Sequence, residues 1–244
     1  MIFNWAKRIM DLNSDSPSLL ADNYRSPHHH HFSTDAIHGG RDESTSAVPI
    51  YQGVNNYRSR SEGGYIRGLE DAGGATVEAL EDLVKDLEGA EWSLATSSGM
   101  AAVGNTLLGL LSSGDRIVVH RCVYYATNRM LHEDLPHKWG IQVEWVDFRD
   151  LDALQNALVK PTRLVYFEPY ANPSMDLIEA AAVIKLAHEA GALAVVDNTW
   201  FSPYLLQPLH LGADVVLHSA TKYLGGHGDA LSGVISGRGT ALRA

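Results

Sequence analysis

The sequence predicts an α/β fold, a mostly parallel sheet covered by helices on both faces. Three observations carry this. Short unbroken apolar runs recur, such as Ala192 to Val196 and Val215 to Leu217, as expected of strands buried on both faces. Segments with apolar residues at steps of three and four lie between them. Polar residues able to do chemistry stand directly after the apolar runs, where open parallel sheets present ligands.

The chain has 244 residues, 45% hydrophobic and 20% charged, enough for one large domain with a sizeable core. A net charge of −10 argues against nucleic-acid binding and against an anionic membrane surface. Cys122 is the only cysteine, so no internal disulfide can form, which fits a reducing compartment. No apolar run approaches transmembrane length. Met1 to Arg8 lacks the apolar core of a signal peptide. A cytoplasmic enzyme is the expectation.

Residues 1–32 are polar and irregular, with a histidine run from His28 to His31, and read as a flexible leader. No cysteine or carboxylate stands near that run at metal-site spacing, so no metal is expected. Residues 33–74 show no clear period and hold Tyr51, Tyr57, Arg58, Arg60, Tyr65 and Arg67. They read either as an extended arm for a neighbouring subunit or a phosphate or as a surface loop. Residues 75–244 read as the main domain.

Its elements follow in order. Val77, Leu80, Leu83, Val84 and Leu87 mark a helix that Gly89 ends. Trp92 to Ala95 is a strand, and Met100 to Leu111 a helix closed by Gly114. Ile117 to Val119 is a strand, Tyr124 to Leu131 a helix, Ile141 to Val146 a strand and Leu151 to Val159 a helix. Leu164 to Phe167 is a strand ending at Glu168, and Asp176 to Ala190 a helix with Asp176 near its N-terminus. Ala192 to Val196 is a strand ending at Asp197, Pro203 to Gly212 a crossover, Val215 to Leu217 a strand and Leu231 to Ile235 the last strand.

Three strand ends carry chemistry. Ser98-Gly99-Met100 follows a strand and opens a helix, which offers free N–H groups and a positive dipole end to a phosphate. Residues 99–106 imitate a nucleotide P-loop, but Asn105 replaces its lysine, which argues against an NTPase. Asp197 follows a buried strand and suits a cation such as the ring nitrogen of pyridoxal. Lys222 follows the next strand with Ser219 and Thr221 beside it. It suits a Schiff-base lysine, with the hydroxyls serving an anionic group. Each has a structural alternative: a small-residue helix start, an N-cap and a turn with a solvated lysine. A Rossmann-type nucleotide site would need a glycine-rich turn after the first strand with an acidic ribose partner, and the sequence shows neither.

Over residues 33–240 the chain resembles the Cys/Met metabolism (trans-sulfuration) family of pyridoxal-phosphate enzymes, of fold type I. The family includes cystathionine gamma-synthase, the cystathionine lyases, methionine gamma-lyase and homoserine-ester sulfhydrylases. The matching stretches are Val196-Asp197-Asn198-Thr199, Pro203-Tyr204, Pro208-Leu209, Leu211 to Asp214, His218 to Tyr223 and Gly226-His227. Upstream, Ser98 to Ala101 and Glu168 with Asn172-Pro173 also match.

The resemblance implies pyridoxal 5′-phosphate as cofactor and a role for each matching residue. Lys222 would hold the cofactor as an aldimine and then move protons. Asp197 would pair with the ring nitrogen, and Asn172 with the ring hydroxyl oxygen. Gly99, Met100, Ser219 and Thr221 would bind the phosphate. Tyr124 would stack on the ring and act in acid–base steps. Tyr65 and Arg67 would reach the phosphate of a neighbouring subunit, implying a dimer or tetramer. The implied activity is β- or γ-elimination or replacement on a sulfur amino acid or homoserine ester, with no nucleic-acid or membrane partner.

Two departures stand out. The family's Asn-Pro-Thr after Tyr-x-Arg is replaced by Gly68 to Ala75, with Thr76 as the counterpart of the threonine. Family members also continue well beyond the position of Ala244, into a small domain carrying the arginine for the substrate carboxylate. The expectation is therefore a large domain incomplete at its C-terminus, with apolar surface exposed where the small domain packs. The alternative to an active enzyme is an inert cofactor-binding fragment.

Overall fold

The computed structural model describes residues 31–41, 46–52 and 74–239. The reading of a leader over residues 1–30, the Tyr65 and Arg67 pair, and the loop from Gly68 to Gly73 lie outside the described residues.

Among the described residues one sheet forms from β1 (Trp92–Thr96), β2 (Arg116–His120), β3 (Gln142–Val146), β4 (Leu164–Phe167), β5 (Leu193–Asp197), β6 (Val215–His218) and β7 (Gly233–Gly237). Their order across it is β1-β7-β6-β5-β4-β2-β3. β2 pairs in parallel with β3 and β4, β4 with β5, and β5 with β6. β7 runs antiparallel to both β1 and β6.

The period of two in the strands divides the core between the faces. Val118, Val165, Phe167, Val196 and Val216 pack on one side. Ile117, Val119, Leu164, Tyr166, Val195 and Leu217 pack on the other. Every one of these is buried, each contributing roughly 1.5–3 kcal/mol of transfer free energy. Both faces are apolar because both are covered, so the strands read as continuous apolar runs.

The helices supply the covers. α1 (Phe32–His38) packs against α2 (Ala75–Glu88). α3 (Gly99–Leu110) contributes Ala102, Val103 and Leu107 to one face. α4 (Tyr125–Arg129), a π turn (Met130–Asp134) and α5 (Leu135–Trp139) follow without a break, adding Leu131 and Leu135 to that face. α6 (Leu151–Ala157) and α7 (Ala180–Glu189) cover the other face through Leu154, Val183 and Ile184. α8 (Ser202–Leu205) and a 3₁₀ turn (Pro208–Leu211) complete the crossover to β6. Gly89 ends α2 at φ 63°, a conformation that favours glycine.

Four expectations need correction. Phe32–His38 is helical, so residues 33–74 do not begin as an extended arm. The helical run after Tyr124 continues to Trp139, because the π turn re-phases the chain just ahead of Pro136. The helix expected from Asp176 begins at Ala180. Residues 169–178 close on themselves instead, with Ala171 N–H donating to Asp176 O and Ile178 N–H to Pro169 O. The last strand begins at Gly233 rather than Leu231, because Ser232 pairs its backbone with Thr221.

Candidate active site

Register brings the carboxyl ends of the central strands level. Phe167 stands opposite Val196, and Asp197 opposite Leu217. Glu168, Asp197 and the loop after His218 therefore open at one edge. β2 and β4 are neighbours whose following connections leave toward opposite faces, through α5 and α7 respectively. That is a switch point, the usual place for a ligand in such a sheet.

The anion seat is the start of α3. Ser98 caps the helix, its hydroxyl accepting Ala101 N–H at 3.1 Å. The N–H groups of Gly99 and Met100 have no partner among the described residues, as expected of a first turn. Gly99 lies against the lysine loop. A Cβ there would sit 2.6 Å from Ser219 Cβ and 2.8 Å from Ser219 Oγ, so only glycine admits this approach.

Asp197 is held from two sides. Its Oδ1 accepts the Thr199 hydroxyl at 2.6 Å and Thr199 N–H at 3.1 Å. Its Oδ2 faces the Tyr166 hydroxyl at 3.4 Å. Burial pushes the Asp197 carboxyl above its ordinary value, against the bonds from Thr199. It has no ion-pair partner among the described residues. A half-buried acid with three donors and no ion-pair partner among the described residues is chemically suited to a protonated ring nitrogen. Tyr166 itself is fully buried, which holds its phenol protonated well above the usual range.

Lys222 lies in a turn rather than at the buried strand end. Its N–H donates to Ser219 O, and its carbonyl accepts Gly226 N–H. Its side chain is exposed and has no ion-pair partner among the described residues. Thr221 Oγ1 donates to Ser232 O and accepts Ser232 N–H, both at 3.0 Å. Its single hydroxyl proton is committed to the loop, whereas Ser219 faces the start of α3.

Tyr124 and Asn172 come from the two sides of the switch point. Both meet Glu168, which sequence reasoning left without a role. Glu168 Oε1 accepts Tyr124 N–H at 2.6 Å, and Oε2 accepts Asn172 N–H at 3.0 Å. Burial, then the nearby Asp197 charge, raises the Glu168 carboxyl to about 8, against these two bonds. Thr199 was the second residue missed. Its hydroxyl bridges Asp197 and the N–H of Ser219. An acid followed two positions later by a hydroxyl was the available signal.

Around the site, Tyr125 and Tyr223 are exposed beside Tyr124 and Lys222. No described helix is long and apolar enough to cross a membrane.

Pyridoxal phosphate carries an anionic phosphate and a basic ring nitrogen, and these residues fit both. Two free N–H groups and Ser219 would hold the first, and Asp197 would hold the second. Fold and site together define the large domain of a fold type I pyridoxal-phosphate enzyme. The chain belongs to the Cys/Met metabolism PLP-dependent enzyme family, whose family model matches residues 33–244. It is 41% identical over 214 residues to L-methionine gamma-lyase of Fusobacterium nucleatum subsp. polymorphum, covering 83% of this chain and 54% of that protein. It is 42% identical over 212 residues to cystathionine beta-lyase of Lactococcus lactis subsp. cremoris, covering 83% and 54%.

Solved structures agree. The crystal structure of metB from Corynebacterium glutamicum superposes with a TM-score of 0.81 at 36% identity, covering 89% of this chain and 58% of that one. Cystathionine gamma-lyase from Lactobacillus plantarum, complexed with L-serine, superposes with a TM-score of 0.79 at 39% identity, covering 87% and 56%. The chain thus spans about half the length of the curated relatives it matches.

Proposed function

We propose that this chain supplies the cofactor-binding part of a carbon–sulfur lyase acting on small sulfur amino acids by β- or γ-elimination. Replacement on a homoserine ester belongs to the same proposal, as do a cytoplasmic setting and assembly as a dimer or tetramer. One observation carries the reading: the free N–H pair of α3, Asp197 and the loop holding Ser219 and Lys222 gather at one edge of the sheet although these three segments are separate in sequence.

Pyridoxal phosphate, when bound, supplies an electron sink for a carbanion at the substrate Cα. This chain's residues supply the rest. Gly99 and Met100 N–H and the Ser219 hydroxyl hold the phosphate. Asp197 accepts from the protonated ring nitrogen and keeps it charged. Lys222 Nζ, exposed and with no ion-pair partner among the described residues, would hold the cofactor and would serve as the base for the Cα proton. Tyr124 stacks on the ring and Asn172 holds its hydroxyl oxygen. Burial, then the neighbouring Tyr125, raises the Tyr124 phenol above its ordinary value. This keeps it protonated at neutral pH, as a proton donor to a leaving group must be.

Reduction with borohydride in the presence of pyridoxal phosphate, followed by peptide mapping, tests this. A label on Lys222 is expected; a label elsewhere, or no visible cofactor band, overturns the reading. The alternative reading is a polypeptide that binds the cofactor without turnover. A labelled Lys222 with no thiol or 2-oxo acid released from cystathionine, methionine or homoserine esters would select it.

A further inference from the structure

Glu168 has no place in the chemistry above, yet it sits where the two halves of the site meet. It follows β4 directly, is 3% exposed, and uses both carboxylate oxygens. One bond goes to Tyr124, which follows β2 and opens α4. The other goes to Asn172, in the loop that leads to α7. These connections diverge to opposite faces of the sheet, and no other side chain bonds both backbone positions among the described residues. A carboxyl group can accept both N–H bonds from a single side chain, one on each oxygen.

Burying such a group is costly unless it is used. A purely apolar side chain at 168 would leave two N–H groups at the site's edge unpaired. The spacing matters too. Asn172 lies four positions after Glu168, and Tyr124 reaches it from 44 residues away in the chain. One rigid group thereby fixes the separation between a ring-stacking residue and a ring-edge residue.

We propose that Glu168 is a positioning residue for the cofactor ring, fixing Tyr124 and Asn172 in one frame across the switch point. This rests on the pyridoxal-phosphate reading of the site. The group takes no part in bond making. It sets the angle at which the ring is held between its stacking face and its oxygen edge, and so the alignment of the Cα bond to be broken.

The test uses the full chain loaded with pyridoxal phosphate, and the Glu168→Gln and Glu168→Ala variants. Glutamine keeps the shape and one acceptor, but turns an amide N–H₂ toward a backbone N–H. Cofactor affinity comes from titrating the visible absorption band. Visible circular dichroism per bound cofactor reports how asymmetrically the ring is held. Glu168→Gln is expected to weaken cofactor binding about tenfold, the loss of one hydrogen bond, and to change the circular dichroism per bound cofactor. Glu168→Ala should do more of both.

A Glu168→Gln chain with unchanged affinity and an unchanged dichroic band overturns the positioning role. If the parent chain shows its band and its Lys222 label, that result leaves the cofactor reading standing. A parent chain without band or label overturns both.

Discussion

Thr199 donates its hydroxyl to Asp197 Oδ1 at 2.6 Å. The Thr199 hydroxyl oxygen in turn accepts the N–H of Ser219 at 2.8 Å. One hydroxyl thus couples Asp197, the acid proposed for the ring nitrogen, to the loop that carries Lys222. Thr199→Val keeps the shape and removes both bonds, leaving Ser219 N–H unpaired. Stability should fall by about 1–3 kcal/mol in urea unfolding, and cofactor affinity should fall with it. Thr199→Ser should restore most of both.

Gly99→Ala separates the anion seat from helix propensity. Alanine inside a helix stabilises by about 0.5–1 kcal/mol over glycine, yet here its Cβ would lie 2.6 Å from Ser219 Cβ. The start of α3 and the lysine loop must move apart. Cofactor affinity is expected to drop tenfold or more by visible titration. A variant that melts higher and binds the cofactor as the parent does would contradict this geometry.

The buried pair Glu88–His218 closes the end of α2 on β6 at 2.5 Å, with both side chains almost fully buried. His218→Leu leaves the Glu88 carboxylate without its partner and should cost about 3–5 kcal/mol. Replacing Glu88 by Met in the same chain should recover much of the loss, because an apolar pair of similar volume avoids the desolvation penalty. Chemical denaturation of the two single variants and the double variant checks this.

Two buried groups set opposite slopes of stability against pH. Burial lowers His120 from 6.5 to about 4. Its folded form stays neutral while the unfolded form takes up a proton, so stability is lost as pH falls from 6.5 toward 4. Glu168 is raised to about 8. Its folded form keeps a proton that the unfolded form releases near 4.5, so stability is lost as pH rises from 4.5 toward 8. Glu168→Gln should flatten the upper limb alone. NMR titration of the histidine rings should place His120 below every exposed histidine.

Asp176 ties the loop carrying Asn172 to the ends of β2 and β3. Its carboxylate accepts from Arg149 at 2.8 Å and Arg121 at 3.4 Å. Both arginines are about half exposed, so each pair is worth at most about 1 kcal/mol. Asp176→Asn should cost no more than about 2 kcal/mol and should raise hydrogen exchange at Asn172 and Met175 more than in β4.

The sequence by itself determined the layered α/β architecture and the three strand ends that carry the chemistry. Valine-rich runs of four or five residues leave little choice of conformation, and residues after such runs must emerge at the sheet's edge. Asp197 and the Ser98-Gly99-Met100 turn were legible for that reason. Tertiary structure alone decided what links them. Glu168 meets Tyr124 across 44 positions, Thr199 meets Ser219 across 20, and Asp176 turns from a helix start to two arginines. None of these pairs has a local period or spacing to betray it. Each exists because strand order sets β2 beside β4 and β5 beside β6. Buried polar atoms must then find partners among whatever the fold places nearby.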